Sequence, residues 1–255
     1  MSRNPDWTRE ELIVAFNLYC TLTFTRINAS NKEVKELADI IGRSNNAVAI
    51  KLANFARLDP ALQARNVAGM SHGGHGEELV WDEFNSDWDK LAFESELLKA
   101  NFQGVRIEES AQIETDDLPK IGKEREALIK VRVNQSFFRK SILASYNQSC
   151  CITGIVVPEL LIASHIIPWA KNEKERMNPQ NGLCLNGLHD RAFDKGLITI
   201  TPDFKIKISE LLKSQLKPTQ EKFFIPFDNQ TITLPGRFLP QRDFLEYHSM
   251  NIFIK

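Results

Sequence analysis

Apolar positions recur at helical spacing along the first hundred residues. In residues 7–21, Leu12, Ile13, Ala15, Phe16 and Tyr19 fall on one side of a helix, and Thr8 with Glu11 forms a capping-box pattern. The stretch "SNKEVKELADIIG" repeats the scheme. Ser30 is the candidate cap, Val34, Leu37, Ala38 and Ile41 form the apolar stripe, and Gly42 is the stop signal. Only Arg43 and Ser44 precede "NNAVAIKLANFARL", where Val48, Leu52, Phe55 and Ala56 make a stripe and Ser44 can cap. Helix, short glycine-containing turn, helix is the pattern of a helix-turn-helix. The acidic stretch "LVWDEFNSDWDKLAFESELL" continues at helical spacing through Trp81, Phe84, Trp88 and Leu91.

Elsewhere the periodicity weakens or changes. "GMSHGGHGEE" reads as a loop; His72 and His75 stand in H-x-x-H spacing without a cysteine or carboxylate scaffold that would hold a metal. Residues 102–125 are polar and weakly periodic, which predicts a linker. Farther on, "CCIT" and "LLIASHI" are short apolar runs separated by "GIVVPE", which predicts two strands of a hairpin. "LNGLHDRAFDKG" predicts a helix stopped by Gly196. The expectation is an α+β chain: a helical, helix-turn-helix-like domain over 1–101, a linker over 102–125, and a second domain over 126–255.

Composition refines this picture. No apolar run approaches the roughly 20 residues that span a bilayer, and "MSRNPDWTREE" lacks the apolar core of a secretory signal, so a cytoplasmic protein without a membrane partner is expected. Cys20, Cys150, Cys151 and Cys184 include no C-x-x-C pair, which predicts buried, reduced thiols and no structural zinc. The net charge of −1 conceals a division: residues 126–255 hold 17 basic against 12 acidic side chains, whereas the preceding part is acidic. Residues 26–65 are locally basic, with 7 against 4. Both regions suit a polyanion. If the helix after Gly42 lies in a groove of double-stranded DNA, Asn45, Asn46, Lys51 and Asn54 are the side chains placed to meet it. The plainer reading of the same residues is a helical bundle with a solvated polar face.

From Val131 the motifs become specific. Arg132, Gln135, Phe138 and Arg139 form R-x-x-Q-x-x-F-R; C-x-T-G follows at Cys151–Gly154, S-H-I-x-P at 164–168, N-G-L-x-L at Asn181–Leu185, and L-H-x-x-F-D-x-G at Leu188–Gly196. In this order the motifs resemble the HNH nuclease family, in particular its putative-restriction-endonuclease branch, whose ending "LPQRDFLEYHSMNIF" also resembles. The resemblance implies a ββα-metal fold and hydrolysis of DNA phosphodiester bonds. His165 would be the general base and His189 a metal ligand. Asn181 would be either a second ligand or the residue that orients the base. Asp194, inside the H-x-x-F-D pattern, is a further candidate ligand.

An imidazole near its ordinary pKa of about 6.5 can deprotonate water at neutral pH. A divalent cation relieves the phosphoryl charge. Many family members place an acidic or histidine ligand where this chain has Ser164, a weak ligand. Asp190 and Asp194 are the nearby carboxylates, about 100° and 140° around a helix from His189, so neither shares its face. Few protein ligands favour a hard ion, magnesium or manganese, completed by water and phosphate oxygens. Arg132, Arg139, Lys171, Lys174 and Arg176 are candidates to track the DNA backbone. The alternatives are a DNA-binding regulator that keeps a nuclease-like fold, and an N-terminal bundle that mediates homodimerisation.

Overall fold

Thr8 accepts a hydrogen bond from the Glu11 backbone while the Glu11 carboxylate takes the Thr8 amide, and this reciprocal cap starts α1 (Arg9–Thr21). The computed structural model describes residues 6–65 and 73–255. The chain divides into two compact units, Met1–Ser141 and Ile142–Lys255. His72 lies outside the described residues.

In the first unit α1 is followed by α2 (Lys32–Ile41), α3 (Asn45–Ala56) and the single turn α4 (Pro60–Gln63). The cap of α2 is Asn31, one residue beyond the expected Ser30, because its Oδ1 accepts from both Glu33 and Val34 amides. Gly42 ends α2 at φ +67° and Ser44 caps α3, as expected. The expected acidic helical stretch is two helices, α5 (His75–Phe84) and α6 (Trp88–Gln103), because Asp87 accepts from the Lys90 amide and restarts the helix. Phe16 is central to the core, with ring centroids 4.9 Å from Phe55 and 5.3 Å from Trp81.

Residues 102–125 are packed, where a linker was expected. They include α7 (Ile107–Ser110), and Leu118 joins Ile129 and Val133 of α8 (Lys123–Ser145) in a buried cluster flanked by Phe93, Ile107, Ala111 and Ile113. Sparse apolar residues without clean periodicity were enough, because α6 and α8 supply the surface they cover. Arg125 adds a 2.7 Å pair with Glu108, both nearly enclosed.

In the second unit β1 (Leu161–His165) pairs antiparallel with β2 (Gly182–Asn186), in a register that sets Ser164 opposite Leu183 and His165 opposite Gly182. "CCIT" is not the first strand of this hairpin. Cys150 to Gly154 form a turn, with Gly154 at φ +73° and its amide on the Cys150 carbonyl, and Cys151 donates to the Cys184 carbonyl. Thr-Gly chemistry reverses the chain before a strand can extend, and the all-buried "GLCLN" takes the partner position. All four cysteines are buried and free.

Asn186 caps α9 (Gly187–Asp194), which packs on both strands and ends at Gly196, φ +66°. β3 (Ile198–Ile200) and β4 (Ile206–Ile208) form a second hairpin, followed by α10 (Glu210–Gln215), α11 (Pro218–Glu221) and α12 (Arg242–Asn251). α12 packs on β3, where buried His248 stacks on Phe193 with centroids 3.7 Å apart. No helix among the described residues is long and apolar enough to cross a membrane.

Candidate active site

The β1–β2–α9 arrangement brings S-H-I-x-P, N-G-L-x-L and L-H-x-x-F-D-x-G into one compact structure. His165 is the last residue of β1 and is half-buried. Its Nε2 lies 2.9 Å from the Arg176 carbonyl. A carbonyl can only accept, so Nε2 carries the proton and the basic lone pair of the neutral ring is on Nδ1. Trp169 meets the ring edge-on at 5.6 Å. Burial lowers the His165 pKa below its ordinary value; the Arg176 carbonyl and the Asp194 charge oppose that shift.

The segment 166–181 that carries Arg176 is held together by its own side chains. Asn181 is buried: its Oδ1 accepts from the Ile167 amide at 2.8 Å, and its Nδ2 donates to the carbonyls of Ile167 and Glu175. Arg176 stacks over Trp169 at 5.0 Å and donates from Nε to the Trp169 carbonyl. Asn178 donates to Glu175 and caps the turn that leads into β2. Through these bonds the backbone immediately after His165, and the carbonyl that orients it, form one unit.

Residues 150–201 match the HNH endonuclease family model. The match runs from the C-x-T-G turn through β1, β2 and α9 to β3, and leaves Arg132, Arg139 and the C-terminal tail outside it. No curated protein matches the chain.

Within the HNH segment the histidines have different surroundings. His189 is 3% exposed; its Nε2 donates to the Phe223 carbonyl at 3.0 Å, and its Nδ1 accepts from Asn186 Nδ2 at 2.9 Å. Phe224 and Phe227 pack on the ring, and burial lowers its pKa. Both nitrogens that would bind a cation are engaged, and every polar atom of the Asn181 side chain is engaged within its loop. The expected set of His189, Asn181 and Asp194 therefore does not converge on a cation. Among the described residues no group of three His, Cys, Asp or Glu side chains does so.

The other side of α9 is different. Asp190 and Asp194 are four residues apart and so share a helix face. Burial raises the Asp190 carboxyl pKa, the Ser164 hydroxyl opposes that rise, and the Asp194 charge adds to it. Ser164 is 2% exposed, and its Oγ has no hydrogen bond of proper geometry. Asp194 is exposed. Asp190 is thus felt by Ser164 and Asp194, and His165 by Asp194.

The residues expected to meet DNA are placed unequally. Asn46 is exposed and Asn45 half-buried on the first turn of α3. Lys51 and the buried Asn54 both bond to Glu77 of α5, at 2.6 and 2.9 Å, and so point inward. Arg132 pairs with Asp117, Arg139 is exposed on α8, and Lys171 is exposed in the segment after β1. The orienting carbonyl of Arg176 and the buried Ser164 are the features least visible in sequence. Only the departure of Ser164 from the family pattern pointed to one of them.

Proposed function

We propose that the protein is a metal-dependent endonuclease of double-stranded DNA, acting in restriction or defence, with His165 as the general base. The observation that carries this reading is the fixed tautomer of His165 at the end of β1, inside the segment that matches HNH endonucleases. His165 Nδ1 takes a proton from water, the water oxygen attacks phosphorus, and the P–O3′ bond breaks. The products are a 5′-phosphate and a 3′-hydroxyl, the latter protonated by solvent. Asn181 acts as a positioning residue through the backbone of Ile167. A divalent cation, magnesium or manganese, supplies charge neutralisation at the phosphoryl and leaving oxygens when bound. Asn45 and Asn46, at the start of a helix-turn-helix-like α3, are the side chains offered to a groove. Arg139 and Lys171 are offered to phosphates.

The test is plasmid DNA incubated with magnesium or manganese, beside His165→Ala. Nicking by the native protein and its loss in the variant are expected; equal cleavage by both removes His165 from the reaction. A second reading, a DNA-binding regulator without activity, is favoured by the enclosure of His189. It requires DNA binding with no cleavage under any divalent metal.

A further inference from the structure

We propose that residues 217–227 form an autoinhibitory strap closed over His189, and that the site works only when the strap lifts. The strap takes its purpose from the nuclease reading above, and its place from contacts alone.

His189 shows how the strap blocks the site. A histidine ligand is held by a partner on one ring nitrogen and coordinates through the other. Asn186 is such a partner: its Nδ2 lies 2.9 Å and its Oδ1 3.2 Å from His189 Nδ1. The remaining nitrogen, Nε2, is the one that the Phe223 carbonyl occupies at 3.0 Å. With the strap closed, Nε2 keeps the proton and Nδ1 accepts from Nδ2 of Asn186. With the strap lifted, the proton can reside on Nδ1 and be donated to Oδ1, which frees the Nε2 lone pair. The same asparagine serves both tautomers.

The strap has few ties of its own. Its ends are pinned together: Lys213 Nζ lies 2.9 Å from Asp228 Oδ2, and Asp228 Oδ1 accepts from the Ile208 amide at 3.2 Å. Between these pins every residue from Lys217 to Pro226 is exposed except Phe224. Among the described residues, the bond from His189 is the one hydrogen bond that ties residues 217–226 to anything beyond their own turns and Asp228. Phe224 and Phe227 pack on the same imidazole, with centroids at 5.3 and 5.6 Å. A loop with fixed ends, held in its middle at one side chain, opens without unfolding the core. Whatever the site takes at Nε2 competes with the Phe223 carbonyl, so its apparent affinity is reduced to the fraction of molecules with the strap lifted.

The test is ethoxycarbonylation of the full chain by diethyl pyrocarbonate at neutral pH, with the rate at each histidine read by peptide mass spectrometry. His248 is the reference: it is 1% exposed against 3% for His189, and is bonded to Thr199 and Phe193 instead of the strap. In the native protein His189 should react about tenfold faster than His248, and Phe224→Ala should raise the His189 rate about tenfold further while leaving His248 unchanged. Equal, slow rates at both histidines of the native protein overturn the strap, as does a parallel rise of both in Phe224→Ala. The same samples are assayed for nicking with magnesium, where Phe224→Ala should cleave faster than native. Native cleavage with His189 as protected as His248 sinks the strap and leaves the nuclease. Selective reaction of His189 without cleavage by either protein sinks the nuclease reading and leaves a strap that lifts. Equal cleavage by both proteins, with His189 freed in the variant, overturns the inhibitory role.

Discussion

Asn181 and Ile167 exchange hydrogen bonds in both directions: the Ile167 amide donates to Oδ1 at 2.8 Å, and Nδ2 donates back to the Ile167 carbonyl at 3.3 Å. The side chain thereby acts as a backbone partner for a segment that has no strand beside it. Asn181→Asp removes two donors and turns a carboxylate toward two carbonyls. The expected cost is about 2–4 kcal/mol of stability in urea unfolding. Under conditions where the variant remains folded, nicking should fall about a hundredfold with little change in DNA affinity. A variant that unfolds at the native urea concentration would contradict the clamp.

The carbonyl that orients His165 belongs to Arg176, whose guanidinium is stacked on Trp169. Arg176→Lys keeps the charge and loses the planar stack and the Nε bond. Cleavage rate should drop about tenfold while its dependence on salt stays the same. A reduced salt dependence instead would mean that Arg176 contacts phosphate.

His248 is 1% exposed, donates to the Phe193 carbonyl, and has its pKa lowered to about 4 by burial, from an ordinary 6.5. A buried neutral base stabilises fully above the unfolded value, and that contribution is lost as pH falls toward the folded value. Between those limits the unfolded chain binds more protons, so acidification should remove up to about 3 kcal/mol. Burial lowers His165 and His189 as well, which acts in the same direction. Urea unfolding at pH 7 and pH 4.5 measures the loss; equal stability at both would contradict a neutral buried His248.

An alanine at Gly196 would place its Cβ 2.0 Å from the Ile252 carbonyl oxygen, at a φ of +66°. The neighbour is backbone, tied by the bond from Ile254 to the Gly196 carbonyl, and cannot swing away. Gly196→Ala should cost more than about 2 kcal/mol. A melting temperature within a degree of native would show that the tail moves freely from α9.

Lys51 pairs with Glu77 at 2.6 Å, with side-chain exposures of 14% and 1%. Burial opposes ionisation of Glu77 most strongly, yet its bonds to Lys51 and Asn54 leave the carboxyl pKa below its ordinary value. Removing one partner strands the other, so Lys51→Ala should cost about 3 kcal/mol of stability. Asn46→Ala should leave stability unchanged and weaken DNA binding in a gel-shift titration. The reverse pattern would make Lys51 the reader of the groove.

The helices of the first unit were legible because each carries a local signal: a capping residue, an apolar stripe, a glycine stop. The ordered motifs of residues 150–201 were legible for a related reason, since a glycine turn and a strand-ending histidine act at short range. The first strand was misplaced at "CCIT" because two apolar runs competed for β2. Thr153 and Gly154 decided against the nearer one.

By itself, then, the sequence determined the helices α1, α2, α3 and α9, and which histidines, asparagines and aspartates are available. Only the tertiary structure decided what those side chains face. Asn54 and Lys51 were free on a helical wheel until α5 presented Glu77. His189 was an open ligand until Phe223 and Asn186 took its nitrogens. Ser164 was a departure from the family pattern until α9 brought the Asp190 carboxyl to its hydroxyl. The physical reason is that hydrogen-bond donors and acceptors are satisfied by whichever partners folding brings within about 3 Å, and those partners here lie 3 to 34 residues away along the chain.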